Sequence, residues 1–238
     1  MTLGLVKART LDRHDVVDRA RRLLFNYVLG ARRGLYDAAA IGRLAPLASP
    51  YVPWSDVAMR PAAVVTVLDE IAMFGRTRIV ECGGGLSTIY IARLLRERGG
   101  RLTTIEQDPE WVELLREQLS REALDDVVEI VHAPLEDADE PGAAPWYARA
   151  ALDRVGADGI DLLLVDGPIA GSDHPQIRYA ALPYFLERLD PGALVVLDDI
   201  LRRGEREIVR RWRVEHGVAM EIRPLDGAIA VGRVGGAP

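Results

Sequence analysis

The sequence predicts an α/β protein in which helices cover both faces of a doubly wound, mostly parallel β-sheet. From residue 76 onward, strand-like and helix-like runs alternate, which is the pattern of parallel strands joined by crossover helices. Near the end of the chain, Asp226 and Gly227 separate two strand-like runs, which predicts an antiparallel hairpin. The predicted strands before the hairpin are 78–82, 102–106, 127–132, 160–166 and 193–198. The predicted helices are 87–98, 109–121, about 144–155, 177–189 and 204–216.

A helical segment precedes this alternation. Apolar residues recur at spacings of three and four over residues 12–44, which predicts an amphipathic helical segment. We expect glycines to break it into pieces, at Gly30, Gly34 and Gly42. The proline-rich stretch 46–54 is unsuited to a helix and predicts a boundary between an N-terminal cap, 1–50, and a core, 51–238. Pro61 favours the start of a further helix.

The composition is that of a soluble globular protein with one substantial domain. The 238 residues are 49% hydrophobic and 28% charged, and no apolar run is long enough to span a membrane. The first residues lack the apolar centre of a signal peptide, and a single cysteine excludes an internal disulfide or a cysteine zinc cluster. We therefore expect a cytoplasmic protein that does not contact a membrane.

The basic residues are concentrated near the N-terminus. Residues 1–50 carry nine basic and four acidic side chains, whereas the remainder carries twenty-one and thirty-two. A basic arm of this kind binds nucleic acid in some proteins, but the arginines do not alternate regularly with aromatic residues, as a stacking platform would need. We favour a solvated helix face and expect no nucleic-acid partner. Lys7 is the only lysine, which excludes a Gly-Lys phosphate loop and disfavours lysine-based catalysis.

The stretch 79–88 is the most informative motif in the chain. An apolar strand runs into Gly83, Gly84 and Gly85, and a helix-like run follows at once. Glycine permits a tight turn and close approach of a ligand, and the free N–H groups of the following helix attract an electron-rich group. We call this turn the glycine corner, and it predicts a nucleotide-like ligand.

An acidic residue ends the second predicted strand. Glu106 lies 23 residues after Gly83, close to the spacing at which a carboxylate meets ribose hydroxyls in dinucleotide-binding folds. An ionised carboxylate accepts hydrogen bonds and suits the two hydroxyl donors of a ribose. Gln107 is a further candidate for an adenine or ribose contact, whereas Asp108 fits the cap of the next helix.

Three more carboxylates follow the next two strands. Asp166 ends the fourth strand, and Asp198 and Asp199 follow the fifth. Both strands are almost wholly apolar, as strands buried on two faces should be, so their carboxyl ends meet at one edge of the sheet. We therefore expect the three carboxylates to converge. A structural ion-pair network is the alternative, with Arg178, Arg202 or Arg203 as partners.

The order of these features resembles the class I S-adenosylmethionine-dependent methyltransferases. The features are a glycine corner, acidic residues at the ends of strands two and four, and a terminal hairpin, and they cover about residues 52–234. Small O-methyltransferase-like proteins are the most similar group. The resemblance implies a Rossmann-like, seven-stranded sheet, S-adenosylmethionine as cofactor, and methyl transfer to the hydroxyl of a small-molecule acceptor.

The resemblance also implies roles for the residues of the corner. Glu81 would orient the amino group of the cofactor and the glycine loop. Gly83 and Gly85 match the first two glycines of the family, and Ser87 stands where a third is usual. Ser87 or Thr88 would cap the helix or bind the methionine carboxylate.

Beyond the corner, the resemblance implies an adenine pocket and a possible metal. The turn of Ala133, Pro134 and Leu135 would lie against the adenine, while His132 is expected to be structural. In metal-dependent catechol-type enzymes, acidic residues at the corresponding strand ends hold Mg²⁺. The matching set here is Asp166, Asp198 and Asp199. Those enzymes also carry a lysine just past strand four, where this chain has Gly167 and Pro168.

The candidate catalytic residues are Asp166, His174 and Asp199, and Asp166 is also a candidate contact for the cofactor. His174 lies in the segment after strand four, which shapes the acceptor pocket in this fold, and histidine is a common general base. Other functions remain open at this point: another enzyme of the same fold such as an aminopropyl transferase, an NAD-dependent dehydrogenase, or a non-catalytic cofactor-binding subunit. The N-terminal helices are also candidates for a homodimer interface.

Overall fold

A computed structural model describes residues 13–138, 144–156 and 159–235, and it confirms the predicted fold class. The helices are α1 (Arg13–Leu44), α2 (Pro61–Phe74), α3 (Leu86–Arg98), α4 (Pro109–Arg121), α5 (Arg149–Leu152), α6 (Ala181–Phe185) and α7 (Arg203–His216). The strands are β1 (Arg78–Cys82), β2 (Arg101–Glu106), β3 (Val128–His132), β4 (Leu135–Glu136), β5 (Trp146–Tyr147), β6 (Ile160–Val165), β7 (Leu189–Leu197), β8 (Met220–Arg223) and β9 (Ile229–Arg233). Among the described helices, none combines the length and apolar character needed to cross a bilayer.

Seven of the strands form one sheet in the order β3-β2-β1-β6-β7-β9-β8. The first five are parallel, and β9 runs antiparallel to both β7 and β8, which confirms the terminal hairpin. From β1 the chain order proceeds towards β2 on one side and β6 on the other. Such a switch point opens a crevice beyond the carboxyl ends of the strands, where ligands bind in open α/β sheets.

The sheet is buried on both faces because its central strands carry mostly apolar side chains, and those of β6 from Leu162 to Val165 are wholly apolar. Leu162 and Leu164 of β6 pack into the core beneath α2 and α3, whereas Leu163 and Val165 pack into the opposite core with α6 and α7. Successive residues of a strand point to opposite faces, so this continuous apolar run fixes a three-layer arrangement.

The N-terminal segment forms one continuous helix, so the predicted breaks at Gly30, Gly34 and Gly42 are wrong. A Cβ at any of these three positions would meet nothing within 4 Å. Each glycine lowers the stability of the helix by about 1 kcal/mol relative to alanine, and the helical turns on either side of it continue the helix nonetheless. The C-terminal turns are anchored to the core through buried Ala40 and Leu44. The division at residue 50 stays a prediction.

Two predicted helices differ from the structure because of contacts that are distant in sequence. In the predicted helix 144–155, Trp146 and Tyr147 instead pair with β4, and only α5 is helical. The predicted helix 177–189 is divided into two 3₁₀ turns around α6. Pro183 has no N–H to donate to the Tyr179 carbonyl, which instead accepts a hydrogen bond from Trp212 Nε1 at 2.9 Å.

A buried carboxylate joins the elements that surround the glycine corner. Glu81, in β1, is fully buried and accepts hydrogen bonds from Ser87 and Thr88 of α3 and from Thr104 of β2. Burial raises the pKa of Glu81 to about 7, although the three hydroxyl donors oppose the shift. The first turn of α3 is thereby held against two adjacent strands.

This pKa makes a testable contribution to stability. Below about pH 4.5, Glu81 is protonated in both the folded and the unfolded chain, so its contribution is fully present. Between that pH and about 7, the unfolded chain releases a proton that the folded chain retains, so the free energy of unfolding falls as pH rises. We expect Glu81→Gln to remove a pH-dependent change of up to about 3 kcal/mol from this window.

Urea unfolding at a series of pH values from 4 to 8 measures this change. Glu113→Gln is the matched control because Glu113 is exposed and pairs only with neighbouring Arg116 in α4. The control should keep the pH dependence of the wild type. Identical pH profiles for wild type and Glu81→Gln would contradict the assignment.

Candidate active site

The glycine corner lies at the carboxyl end of β1, where two backbones meet. Gly83 has φ +88°, and a Cβ there would lie 2.7 Å from the Gly167 nitrogen, so the turns after β1 and β6 are in direct contact. A Cβ on Gly84 would lie 2.6 Å from Thr104 Cγ2 and 2.9 Å from Leu115 Cδ2. Glycine is therefore required at Gly83, where the close atoms are backbone, whereas a side chain at Gly84 would need Thr104 and Leu115 to shift.

Gly85 is the part of the corner that faces open space. It is the N-cap of α3, and a Cβ there would meet nothing within 4 Å. Glycine has no side chain with which to cap the first amides of the helix. The hydroxyls of Ser87 and Thr88 donate to buried Glu81, so they hold the start of α3 against β1. The Gly85 amide donates to Thr88 Oγ1 at 2.9 Å, and the Gly85 N-cap offers no side chain to the first amides of α3.

Glu106 closes the other side of the corner. Its Oε2 accepts from the Gly84 amide at 3.0 Å, and its Oε1 accepts from the amides of Gln107 at 2.7 Å and Asp108 at 2.9 Å. Three amides leave part of the acceptor capacity of a carboxylate free. Gln107 Oε1 is buried without a hydrogen-bond partner in the part of the chain described. Trp111 Nε1 donates to the Gly84 carbonyl at 2.7 Å and covers the loop.

The turn after β3 lies beside Glu106, as its place in the sheet requires. Buried Ala133 donates its amide to the Glu106 carbonyl at 2.8 Å. Pro134 is exposed, and Leu135 is half-buried at the start of β4. His132 Nε2 lies 3.2 Å from the Gln107 carbonyl oxygen, which fits a structural role. Backbone and apolar groups therefore form this wall.

The structure brings the three predicted carboxylates together. Asp166 follows β6, Asp198 and Asp199 follow β7, and one oxygen of each lies within 4.8 Å of the others. Asp199 has φ +62°, a left-handed conformation that aspartate adopts more readily than most residues. We call these three residues the acidic cluster. The Gly83–Gly167 contact places the cluster next to the glycine corner, because Gly167 directly follows Asp166.

Arg178 is the principal partner of the acidic cluster. Its side chain is 4% exposed, and Nη1 donates to Asp199 Oδ2 at 3.0 Å while Nη2 lies 3.4 Å from Asp166 Oδ1. Its Nε donates to the Pro168 carbonyl at 3.0 Å. Half-exposed Arg202 also reaches Asp199 Oδ2, at 2.8 Å. The ion-pair alternative raised from the sequence is thus present in this structure.

These arginines do not neutralise the cluster. Burial, with the neighbouring Asp199 charge, raises the pKa of Asp198 to about 7. Burial and the Asp198 charge raise the pKa of Asp166 well above its usual range, despite Arg178. Glu205, in the first turn of α7, is also buried, with Oε1 lacking a hydrogen bond among the described residues. The site therefore has an excess of negative charge that a proton or a cation would relieve.

Among the described residues, the His174 side chain has no hydrogen bond or ion pair with the acidic cluster. It lies exposed in the segment between β6 and the 3₁₀ turn Ile177–Ala180. Its role as a base stays a prediction.

Two neighbours of the site carried no sequence motif. Trp111 is recognisable only from its position in the first turn of α4, which faces back towards the corner. Glu205 fits the usual preference for acidic residues at helix starts, so its burial beside the acidic cluster is hidden in the sequence.

Comparison with known proteins relates this geometry to a family. A family model described as a methyltransferase domain matches residues 80–200, just over half of the chain. A catechol O-methyltransferase from Mycobacterium tuberculosis is 28% identical over 129 residues, 53% of this chain and 50% of that protein. The chain therefore spans half the length of this relative. A catechol O-methyltransferase from Niastella koreensis is 26% identical over 174 residues, 72% of this chain and 70% of the other.

A solved structure agrees in fold. The SAH-bound methyltransferase of Podospora anserina superposes with a TM-score of 0.58 at 12% identity, covering 98% of this chain and 99% of that one. The matched family segment contains the glycine corner, Glu106, Asp166 and the rest of the acidic cluster. The protein belongs to this family of methyltransferase domains.

Proposed function

We propose that this chain transfers the methyl group of S-adenosylmethionine to a hydroxyl oxygen of a small molecule. The contact between Gly83 and Gly167 carries the proposal, because it brings the glycine corner and the acidic cluster next to each other beyond the ends of β1 and β6. Membership of the methyltransferase family and the catechol O-methyltransferase relatives support it. Catechol is accordingly the first acceptor to test.

The residues around the corner fit this cofactor. Glu106 retains acceptor capacity for ribose hydroxyls, and the unpartnered Gln107 Oε1 offers a buried acceptor beside it. The open face of Gly85 and the uncapped amides of α3 suit the methionine end. The turn of Ala133, Pro134 and Leu135 is proposed to flank the adenine. When bound, S-adenosylmethionine supplies a methyl group already activated on a sulfonium.

The chain must then orient the acceptor and take up its proton. A carboxylate whose pKa lies near neutral is a better general base than an ordinary one. Burial raises the pKa of Asp198 to about 7 and raises the pKa of Asp166 well above its usual range, so these two members of the acidic cluster have this property. We assign proton uptake to Asp166 and Asp199, which line the accessible side of the cluster. His174 is the alternative base.

The acidic cluster also has the chemistry of a divalent-metal site. Carboxylate oxygens are the donors that Mg²⁺ prefers, and the excess negative charge of Asp166, Asp198 and Asp199 favours a cation. A metal ion bound there would lower the pKa of an acceptor hydroxyl. We therefore propose Mg²⁺ as an auxiliary ligand of this site.

The first prediction for this function concerns Glu106. Loss of charge-assisted hydrogen bonds worth about 1.5–3 kcal/mol should weaken S-adenosylhomocysteine binding in Glu106→Ala by tenfold or more. Calorimetry measures the affinity, and labelled methyl transfer to catechol gives the matching rise in KM for S-adenosylmethionine. Glu113→Ala is the control, since Glu113 is exposed on α4 and pairs with Arg116.

The binding and turnover measurements test the cofactor site and the methyl-transfer activity separately. Unchanged affinity in Glu106→Ala would remove Glu106 from the cofactor site. A wild-type chain that binds the cofactor but methylates neither catechol nor other hydroxyl acceptors would contradict the enzymatic proposal and favour a cofactor-binding subunit.

We also propose that α1 forms a homodimer interface. Between residues 23 and 35 of α1, large apolar side chains project into solvent, including Phe25 (65% exposed), Tyr27 (75%) and Leu35 (72%). A free helix with this much exposed apolar surface is unusual and marks an interaction site. The basic excess of residues 1–50 complements the acidic remainder of a second copy.

Light scattering after size exclusion tests the dimer. We expect twice the 26.2 kDa chain mass for wild type and a monomer for Phe25→Glu, because a buried charge would disrupt an apolar interface. Leu114→Glu is the control, because the Leu114 side chain is exposed on α4 rather than on α1, and this variant should remain a dimer. A monomeric wild type, or a dimeric Phe25→Glu, would contradict this interface.

A further inference from the structure

Arg178 lies at the centre of the charges beyond the carboxyl ends of β6 and β7. The charged groups that face its guanidinium are Asp166, Asp198, Asp199 and Glu205. The side chain is almost completely buried, so water screens these interactions little. Apart from Arg202, which is half-exposed and reaches Asp199 and Glu205, this guanidinium is the cation that the described residues place on these carboxylates.

The guanidinium is fixed from three directions. Its Nε is anchored on the Pro168 carbonyl, and its two terminal nitrogens reach carboxylates after different strands, Asp199 beyond β7 and Asp166 beyond β6. A planar fork of this kind is well suited to bridging two carboxylates, whereas a lysine ammonium is a compact point charge. Arg178 thereby ties the two strand ends together.

The same carboxylates make up the acidic cluster that fits a divalent cation. Two of its three members, Asp166 and Asp199, already pair with Arg178. A divalent ion bound to these oxygens would lie close to the buried guanidinium, and like charges at such short range repel strongly in a poorly solvated site. A divalent ion and the Arg178 guanidinium would therefore compete for the oxygens of Asp166 and Asp199.

We propose that Arg178 is the resident cation of the acidic cluster, and that a divalent metal ion and this guanidinium are alternatives for the same carboxylate oxygens. This inference rests on the proposed function, because it concerns the acceptor side of the same site. Arg178 is a positioning residue: it keeps Asp166 and Asp199 assembled without a metal. Metal binding requires the guanidinium to withdraw from at least one of them.

The inference predicts that removing Arg178 improves metal binding. Mn²⁺ is the probe, and its affinity is measured by calorimetry and by the loss of the free-ion electron paramagnetic resonance signal. Arg178→Gln should bind Mn²⁺ at least tenfold more tightly than wild type, because the carboxylates lose their competing charge. Arg223→Gln is the matched control, since Arg223 pairs with Glu221 on β8. Equal or weaker Mn²⁺ binding by Arg178→Gln would overturn the inference.

A conservative variant covers the case in which Arg178→Gln fails to fold. Arg178→Lys keeps the charge but loses the fork and the anchor on Pro168, so its ammonium withdraws more easily. We expect it to bind Mn²⁺ several-fold more tightly than wild type, and an affinity equal to that of wild type would overturn the inference.

A parallel titration with S-adenosylhomocysteine separates this inference from the proposed function. Affinity should stay within about threefold of wild type in each Arg178 variant, because Glu106 and the glycine corner do not contact Arg178. Failure of the wild type to bind the cofactor would sink the proposed function, whereas the Mn²⁺ comparison depends only on the acidic cluster.

Discussion

The buried carboxylate of Glu81 is the interaction on which the candidate site depends. A carboxyl group without solvent is costly to bury, and the hydroxyls of Ser87, Thr88 and Thr104 offset that cost by hydrogen bonding. These donors come from α3 and β2, whereas Glu81 belongs to β1. One side chain thus holds the first turn of α3 against β1 and β2, and with it the position of Gly85 at the start of the helix.

Close backbone packing connects the glycine corner to the turn after β6. Gly83 and Gly167 approach so closely that neither position accommodates a side chain without movement. The turn that carries Asp166 is therefore held beside the corner, and Arg178 continues the connection to Asp199 after β7. Four successive strands of the sheet, β2, β1, β6 and β7, thereby contribute to a single crevice.

Local patterns account for most of what the sequence predicts correctly. Apolar strands bounded by turns place the five parallel strands, and Asp226-Gly227 places the hairpin. The convergence of Asp166, Asp198 and Asp199 follows from the rule that parallel strands end at one edge. Each of these inferences needs only residues that are near in sequence, or a general rule of sheet topology.

The remainder depends on partners that no local pattern identifies. The hydrogen bond from the Ser87 hydroxyl to buried Glu81 forms because the strand and helix pack together, and no local pattern predicts it. The segment 177–189 is divided where the Tyr179 carbonyl leaves the helical pattern. That carbonyl accepts a hydrogen bond from Trp212, a residue far along the chain. Several arginines were equal candidates for the acidic cluster, and burial selects Arg178 as the bridging one. Such choices are made by tertiary packing.

The central claim is that the glycine corner recognises S-adenosylmethionine rather than another nucleotide. Calorimetric titration of the wild-type chain with S-adenosylhomocysteine and, separately, with NAD tests it most directly. We predict saturable binding of S-adenosylhomocysteine and none of NAD at the same concentrations, because Glu106 and Gln107 offer acceptors for one nucleoside, and the acidic cluster occupies the space where a second nucleotide would be needed under the proposed function. Binding of NAD without binding of S-adenosylhomocysteine would contradict the account.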